Sequence, residues 1–310
     1  MLDFSISIPG SIILLGEHAV LKGYPCVACA VNKRLIINFK KRNDDQIKIF
    51  SELGQVNFLL KNLAAQKPFE FLLESILVYK AFLKSGFELT VNSEFSSQVG
   101  LGSSAAITVG VLATLQYFLF GKLNQKELYE EALKVVRKIQ KRGSGYDIAA
   151  SIFGGIFDYQ CDPFVLNPIQ TVPNLALIYS GYKTPTAVVL EKISWLEKNN
   201  PAYYQKNYQA IGDCVKKSMI SFKNSDWENL GEIFNEEQFL LKSLGVSDAT
   251  LDDMVVRVLK LPNVLGAKIS GAGLGDCVVV LLKNTHEKLI FPSHEVINVR
   301  VEGDGVKIIL

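Results

Sequence analysis

A glycine-rich loop between a strand and a long apolar helix constrains this chain more than any other feature. The stretch "FELTVNSEF" (87–95) alternates apolar and polar residues, which predicts a strand. The loop "VGLGSSAA" (99–106) follows, and an apolar helix continues to Gly121. Such a loop directs backbone N–H groups and the positive end of the helix dipole toward one point. The sequence therefore predicts a phosphate site, with hydroxyls from Ser103 and Ser104.

Other interpretations of this loop fit less well. No lysine precedes the two serines, so the pattern is not that of a P-loop. Ala105 stands where a dinucleotide-binding loop has its third glycine, and no first-domain βαβ unit surrounds it. An ordinary glycine turn followed by a serine helix cap remains open as an alternative.

Two further glycine-rich segments carry candidate chemistry. In "KISGAGLGDC" (268–277) glycines alternate between two apolar strands, where they weaken strand structure. A turn whose backbone approaches a ligand explains them better than an ordinary hairpin, which stays the alternative. In "RGSGYDIAAS" (142–151), Asp147 follows a Gly-Ser-Gly loop and precedes small residues. This carboxylate is either a helix cap or a general base.

Composition excludes several classes of protein. The formal net charge is +2, and the densest basic stretch, "NKRLIINFKKRND" (32–44), is interpreted as two solvated strand ends, so no nucleic-acid partner is predicted. No run of about 18 uninterrupted apolar residues and no basic leader near Met1 is found, so neither a membrane partner nor a signal peptide is predicted.

Cysteine and histidine positions indicate the compartment and exclude a simple metal site. The five cysteines are scattered, and Cys26 and Cys29 lie in an apolar strand-like run without a second pair. They predict buried, reduced thiols in a cytoplasmic protein rather than a zinc or redox centre. The spacings of His18, His286 and His294 predict no metal cluster.

The order of elements predicts an α+β fold. Strands are predicted at the N-terminus, followed by an amphipathic helix near 71–82 and further helices after the phosphate loop. Beyond a connection with three prolines (161–174), two helical stretches cover Thr186 to Leu244, before another helix, the second glycine turn and terminal strands. Without regular βαβ alternation, these elements favour two domains, 1–165 and 166–310.

Taken together and in this order, the motifs resemble the GHMP kinase superfamily, which includes galactokinases, homoserine kinases, mevalonate kinases and phosphomevalonate kinases. The resembling segments are "PGSIILLGEH" (9–18), "GLGSSA" (100–105), "SGYD" (144–147) and "GAGLGDC" (271–277). The resemblance spans nearly the whole chain. It implies a ribosomal protein S5 domain 2-like N-terminal domain and a ferredoxin-like C-terminal domain.

Within the superfamily the motifs point to two acceptors. The segment "GEHAVLKGYP" (16–25) is most similar to mevalonate kinases and argues against a sugar, whereas "GSGYDIAASIFGG" (143–155) and "SGAGLGDC" (270–277) look more like phosphomevalonate kinases. The resemblance therefore implies ATP-dependent phosphorylation of mevalonate in isoprenoid precursor biosynthesis. Phosphomevalonate is the alternative acceptor. A GHMP-fold protein that binds a nucleotide or metabolite without transferring phosphate is the alternative from another class.

The resemblance also implies a role for each motif residue. Asp147 would be the catalytic residue that accepts or orients the hydroxyl proton, and Ser104 would bind Mg²⁺. The residues implied for ATP are Gly100, Leu101, Gly102, Ser103, Ser104 and Ala105, and those for the acceptor are Glu17, His18, Gly271, Ala272 and Gly273. The expected ligands are ATP, Mg²⁺ and mevalonate, and a homodimer is a candidate assembly.

Two positions depart from the superfamily pattern. The lysine that usually follows Pro-Gly is Ser11, and the usual Mg²⁺-binding glutamate eleven residues before the catalytic aspartate is Val136. A hydroxyl cannot supply a fixed positive charge, so either another cation lies near the transferred phosphate or the reaction relies on Mg²⁺ and the phosphate loop. The candidates beside matched motifs are Lys22, Arg142 and Lys268.

Overall fold

The computed structural model describes residues 3–284, 289–292 and 294–309. The expectations that concern Met1 and His286 lie outside these residues. Within them, no group of three or more His, Cys, Asp or Glu side chains could hold a metal ion. All five cysteines are free, as the sequence predicts, and four of them are buried.

The first part of the chain builds a large sheet with the order β12-β1-β2-β5-β3-β4, to which β6 and β7 are added beside β2. Neighbouring strands are antiparallel except β3 and β5, which are parallel. The strands are β1 (Asp3–Leu15), β2 (Cys26–Lys41), β3 (Gln46–Ser51), β4 (Gly54–Leu59), β5 (Phe87–Ser93), β6 (Ile156–Gln160), β7 (Val165–Ile169) and β12 (Lys307–Ile309).

Four helices cover this sheet: α1 (Glu70–Tyr79), α2 (Ser103–Phe120), α3 (Gln125–Gln140) and α4 (Tyr146–Phe153). Among the described residues, α2 is the one helix long and apolar enough to cross a membrane, but most of it is buried inside the fold. It packs against β1, β2 and the other three helices. Its apolar composition is therefore explained by its central place in the core.

The second sheet is antiparallel, with the order β11-β8-β10-β9. Its strands are β8 (Asn174–Tyr179), β9 (Val264–Ser270), β10 (Cys277–Leu282) and β11 (Glu295–Asn298). Four helices accompany it: α5 (Thr186–Asn199), α6 (Pro201–Asn224), α7 (Trp227–Ser243) and α8 (Ala249–Val258). The mixture of helices with largely antiparallel sheets confirms the α+β prediction.

The helical region differs from its prediction in one respect. Three helices, rather than two, lie between Thr186 and Leu244. Helix α5 ends just before Asn200, which is the N-cap of α6. The Asn200 side chain accepts a hydrogen bond from the N–H of Tyr203 at 3.4 Å, and Pro201 takes the first helical position. Asparagine at the cap and proline at the next residue both favour a new helix start.

The domain boundary at 165/166 stays a prediction, and strand pairing shows what surrounds it. β7 begins at that point and pairs with β6 of the first sheet. At the other end of the chain, β12 returns to pair with β1. The first sheet therefore contains strands from both sides of the predicted boundary.

An aromatic cluster fills the core between the first sheet and α2. The ring of Phe39, which is 2% exposed, lies 4.9 Å from the Phe4 ring, 5.6 Å from the Phe87 ring and 4.6 Å from the Phe118 ring. Close packing of this kind leaves a cavity when one ring is removed.

We expect Phe39→Ala to lower the free energy of unfolding by about 3–5 kcal/mol, because it removes a fully packed ring. The matched control is Phe239→Ala on α7, whose side chain is 70% exposed and whose loss should change stability by about 0.5 kcal/mol or less. Urea unfolding of both variants checks this. Equal destabilisation by the two substitutions would contradict the described core.

Candidate functional site

A cavity of about 150 Å³ brings together all four motif segments. Its wall includes Glu17 and His18 after β1, the phosphate loop before α2, Asp147 in α4, and the glycine turn between β9 and β10. Of the residues implied for the site, the cavity is lined by Glu17, His18, Gly100, Gly102, Ser103, Ser104, Asp147, Gly271 and Ala272.

Three other implied residues lie just behind the wall. Leu101 and Ala105 are 1% and 0% exposed and belong to the core. At Gly273 a Cβ would lie 2.3 Å from the carbonyl oxygen of Val246, so this glycine permits a close approach to the chain after α7. These three residues shape the loops, while their neighbours face the cavity.

The phosphate loop packs against Ser11 of β1. The N–H of Ser11 donates to the carbonyl of Leu101 at 3.1 Å, and the Ser11 Oγ is buried without a hydrogen-bond partner among the described residues. Gly102 has a φ of +68°, and a Cβ on it would lie 2.2 Å from that Oγ. Where the superfamily has lysine, this chain therefore has a small hydroxyl that lets the loop lie against β1.

The N-terminus of α2 remains open to a ligand. Gly102 is the N-cap residue, and no side chain of the described residues caps the helix. Neither the Ser103 nor the Ser104 hydroxyl has a hydrogen-bond partner in the part of the chain that the structure describes, and both side chains are half-buried. The serine-cap alternative is therefore wrong, and the backbone amides and the two hydroxyls are free to accept a ligand.

Asp147 lies in the first turn of α4, where Gly145 is the N-cap. Its Oδ1 accepts a hydrogen bond from the N–H of Ile148 at 2.9 Å. Removal from bulk water raises the pKa of Asp147, and backbone N–H groups partly oppose this rise. The cap alternative is thus wrong in detail, because the helix is capped by a glycine and the carboxylate faces the cavity.

The Glu17-His18 pair is held by contacts with the second sheet. His18 has a φ of +62°, and its Nε2 lies 3.0 Å from the carbonyl oxygen of Ala272. Burial lowers the pKa of His18, so the neutral ring can donate this hydrogen bond. Glu17 is 2% exposed and forms an ion pair with the buried Lys268.

The three cations suggested as substitutes for the missing lysine occupy different places. Lys268 is fully buried between Glu17 and Glu237. Lys22 forms an ion pair with Glu197 at 2.6 Å and does not line the cavity. Of the three, Arg142 lines the cavity.

Sequence reasoning missed a fourth cation, Lys183. It follows β8 and lines the cavity, with its Nζ 3.6 Å from Asp276 Oδ1 and 3.1 Å from the carbonyl oxygen of Ser97. Asp276 is 4% exposed and packs against Gly100 of the phosphate loop. No motif marks Lys183 in the sequence, because only the folded topology brings it to this loop.

An apolar cleft of about 370 Å³ lies beside the phosphate loop and shares Ser103 and Ser104 with the cavity. Its apolar lining comes from Leu35, Leu53, Pro68, Phe69, Phe71, Leu72, Val91, Phe95 and Ile107. The loop is therefore bordered by an apolar cleft and by a polar cavity with a carboxylate. This arrangement defines the class of the protein as a small-molecule phosphotransferase.

Comparison with known proteins agrees with this class. The family descriptions "GHMP kinases N terminal domain" and "GHMP kinases C terminal" match residues 67–155 and 218–290. A mevalonate kinase of Archaeoglobus fulgidus is 31% identical over 306 residues, which cover 97% of this chain and 98% of that relative. The chain belongs to the GHMP kinase family and is an ATP-dependent kinase.

Two further relatives carry the same name. A mevalonate kinase of Pyrococcus furiosus is 28% identical over 304 residues, which cover 91% of this chain and 90% of the relative. The crystal structure of the Methanococcus jannaschii mevalonate kinase matches with a TM-score of 0.81 and 23% identity, and covers 96% of this chain and 98% of that one. This structural likeness shows the two-part GHMP fold.

The close contact between Gly102 and Ser11 leads to a prediction about nucleotide affinity. We expect Gly102→Ala to weaken ATP binding about tenfold or more, because a left-handed alanine is strained and its Cβ meets the Ser11 Oγ. Gly121→Ala is the matched control, since Gly121 ends the same helix with a φ of +70° and a Cβ added there would meet no described atom within 4 Å. Titration with a fluorescent ATP analogue measures both.

A second substitution separates the clash from the backbone strain. Adding Ser11→Ala to Gly102→Ala removes the Oγ, while the Ser11 Cβ stays 3.4 Å away, so part of the affinity should return. If Gly102→Ala and Gly121→Ala bind the analogue equally well, the described contact between the loop and β1 is wrong.

Proposed function

We propose that this chain transfers the terminal phosphoryl group of ATP to the hydroxyl of mevalonate and so forms 5-phosphomevalonate for isoprenoid precursor biosynthesis. The observation that carries the proposal is the shared cavity of Asp147 and the open N-terminus of α2. The relatives named mevalonate kinase along nearly the whole chain supply the acceptor.

In this proposal ATP lies across the phosphate loop. Its purine fits the apolar cleft, because a flat ring with few charges gains most from apolar walls. The triphosphate then passes the N-terminus of α2, where backbone amides and the helix dipole stabilise its negative charge. The hydroxyls of Ser103 and Ser104 are placed to contact phosphate oxygens.

Asp147 faces the acceptor hydroxyl. Its raised pKa makes the carboxylate a better proton acceptor than an ordinary aspartate, although still a weak base for an alcohol. The hydroxyl oxygen forms a bond to the γ-phosphorus, the bond from that phosphorus to the bridging oxygen breaks, and ADP leaves. Asp147 takes the hydroxyl proton, and its main contribution is the alignment of the attack.

The residues present fit Mg²⁺ only in part. The free Ser104 hydroxyl is a suitable oxygen ligand beside the triphosphate, whereas Val136 at the usual glutamate position offers none. Mg²⁺ often binds through one or two protein oxygens together with substrate phosphates and water. We therefore propose Ser104 as its protein ligand. When bound, the ion would neutralise charge on the phosphates.

Lys183 is our proposed substitute for the lysine that Ser11 replaces. Asp276 packs against Gly100 and lies within ion-pair distance of the Lys183 ammonium, so the cation is held beside the phosphate loop. A fixed positive charge at this place can stabilise the charge that develops on the transferred group.

The remaining expectations fit the same proposal. Free cysteines suit a cytoplasmic enzyme, and mevalonate and ATP are its proposed small-molecule partners, without nucleic acid or membrane. A homodimer is also proposed as a candidate assembly. Phosphomevalonate stays the second candidate acceptor, because cations without a carboxylate partner among the described residues lie close to the acceptor side of the cavity.

An assay of ADP release tests the acceptor directly. Initial rates are measured over the same range of concentrations of mevalonate, phosphomevalonate, galactose and homoserine, and the product is identified by mass spectrometry. We expect the largest kcat/KM with mevalonate. A higher value with phosphomevalonate would support the second candidate, and ADP release with none of them would favour a binding protein.

We expect Asp147→Asn to lower kcat by about 10²–10⁴-fold, since the amide keeps the shape but cannot accept the proton. Affinity for the fluorescent ATP analogue should stay within about twofold, because the phosphate loop is untouched. Steady-state kinetics and the binding titration are run on the same preparation. Unchanged turnover in this variant would refute the catalytic assignment of Asp147.

We expect Lys183→Met to lower kcat by about 10²-fold, as the loss of one group that stabilises transition-state charge typically does. Lys183→Arg is the matched variant and should retain much more activity, because it keeps the positive charge. Single-turnover kinetics separate the chemical step from ADP release. If methionine and arginine at this position react at the same rate, another group supplies the charge.

A further inference from the structure

A second cleft of about 340 Å³ adjoins the cavity beside His18. The two spaces share a boundary formed by His18, Leu21, Arg142, Gly143 and Leu190. The charged residues of the second cleft are four cations and one carboxylate, namely Lys22, Arg137, Lys141, Arg142 and Glu197. We call this cleft the cationic annex.

Three of these cations have no carboxylate partner among the described residues. The fourth cation, Lys22, forms an ion pair with Glu197, whose two carboxylate oxygens lie within 2.7 Å of the Lys22 Nζ. Arg142 donates from Nη1 to the Ser194 hydroxyl at 2.7 Å, and Arg137 donates from Nε to the carbonyl of Gly143 at 3.1 Å. Positive charge therefore remains uncompensated in the described part of the annex.

The annex is built by both parts of the fold. The C-terminal end of α3 and the loop that follows it supply Arg137, Lys141 and Arg142. The opposite wall comes from α5 and α6, where the buried side chains of Ile193 and Tyr208 give an apolar surface. Such a space suits a ligand with a short carbon chain that ends in an anion.

The phosphate loop does not line the annex. The annex wall contains no residue of 99–106, whereas Gly100, Gly102, Ser103 and Ser104 all face the other cavity. The annex also contains neither Lys183 nor Asp276, the pair beside the loop. Of its cations, only Arg142 also lines the cavity of the phosphate loop, whereas Lys22, Arg137 and Lys141 line the annex alone.

We infer that the annex binds the anionic group at the end of the acceptor that is remote from the reacting hydroxyl, with Arg142 as the specificity-determining contact. This inference rests on the proposed function and names the chemistry of its acceptor site. Arg142 lines both spaces, and a guanidinium can hold a carboxylate or phosphate through two parallel hydrogen bonds. Arg137 and Lys141 line the annex but not the cavity; we call this part the inner annex, and its two cations would add charge for a larger oxyanion.

The test compares mevalonate with a neutral analogue, 3-methylpentane-1,3,5-triol, which has the same hydroxyl but no carboxylate. We expect Arg142→Gln to raise KM and Kd for mevalonate by about 10–100-fold, because a hydrogen bond to a charged group is lost. The two constants for the triol should change by less than about twofold, and kcat with mevalonate should fall less than KM rises. Arg142→Lys should restore part of the affinity.

Lys138→Gln is the matched control for the loss of one positive charge. Lys138 lies in the last turn of α3, just before the loop that carries Arg142, but its Nζ pairs with Glu74 at 2.6 Å and the residue does not line the annex. The KM and Kd of the Lys138→Gln variant for mevalonate should equal those of the unmodified chain. The inference is overturned if Arg142→Gln weakens the binding of mevalonate and of the triol equally, or if it changes the binding of neither ligand.

A double variant distinguishes the two kinds of anion. If the inner annex accommodates phosphate, Arg137→Gln with Lys141→Gln should weaken calorimetric binding of phosphomevalonate about tenfold or more, and binding of mevalonate much less. Equal effects on both ligands would overturn a separate place for phosphate. If the unmodified chain binds mevalonate but releases no ADP, the proposed function fails, while the comparison of Arg142 variants still tests the annex.

Discussion

A buried lysine shared by two carboxylates connects the two parts of this molecule. Lys268 on β9 is fully buried and forms ion pairs with Glu17, just after β1, and with Glu237 on α7. Glu237 also accepts a hydrogen bond from the N–H of Gly16 at 2.9 Å. A buried charge is tolerated only when it is paired, so the turn at 16–18 is fixed against the second sheet.

The protonation of this cluster follows from its burial. Removal from water raises the pKa of Glu237 strongly, the Lys268 ammonium opposes the rise, and the Glu17 carboxylate adds to it. The Lys268 ammonium thus offsets part of the cost of burying the two acidic side chains that flank it. The same cluster lies next to His18, whose Nε2 is 3.0 Å from the Ala272 carbonyl oxygen, so this wall of the cavity depends on the buried Lys268 and Glu237 as well as on Glu17, which lines it.

The sequence predicted the parts of the site that glycine patterns mark. The open start of α2, the loop before Asp147 and the turn at 271–273 all lie at one cavity, because each pattern specifies a local backbone shape. The extra break at Asn200 could also have been found, since asparagine followed by proline is a common helix start.

The electrostatics of the site could not be predicted in the same way. Proximity to a motif suggested three cations, yet Lys268 is buried in an ion-pair cluster and Lys22 is neutralised by Glu197. Lys183 reaches the phosphate loop only because β8 and β10 are neighbours in the second sheet. Burial and charge pairing between distant segments decide these roles, and neither is visible in a linear motif.

In the proposed mechanism one cavity aligns three groups: the triphosphate on the loop at 100–105, the acceptor hydroxyl at Asp147 and the acceptor anion at Arg142. A crystal structure with a non-hydrolysable ATP analogue, Mg²⁺ and mevalonate tests this most directly. We expect the purine in the apolar cleft, the γ-phosphate between Ser104 and Lys183, and the carboxylate on Arg142. A triphosphate bound away from the N-terminus of α2, or a carboxylate that does not contact Arg142, would contradict it.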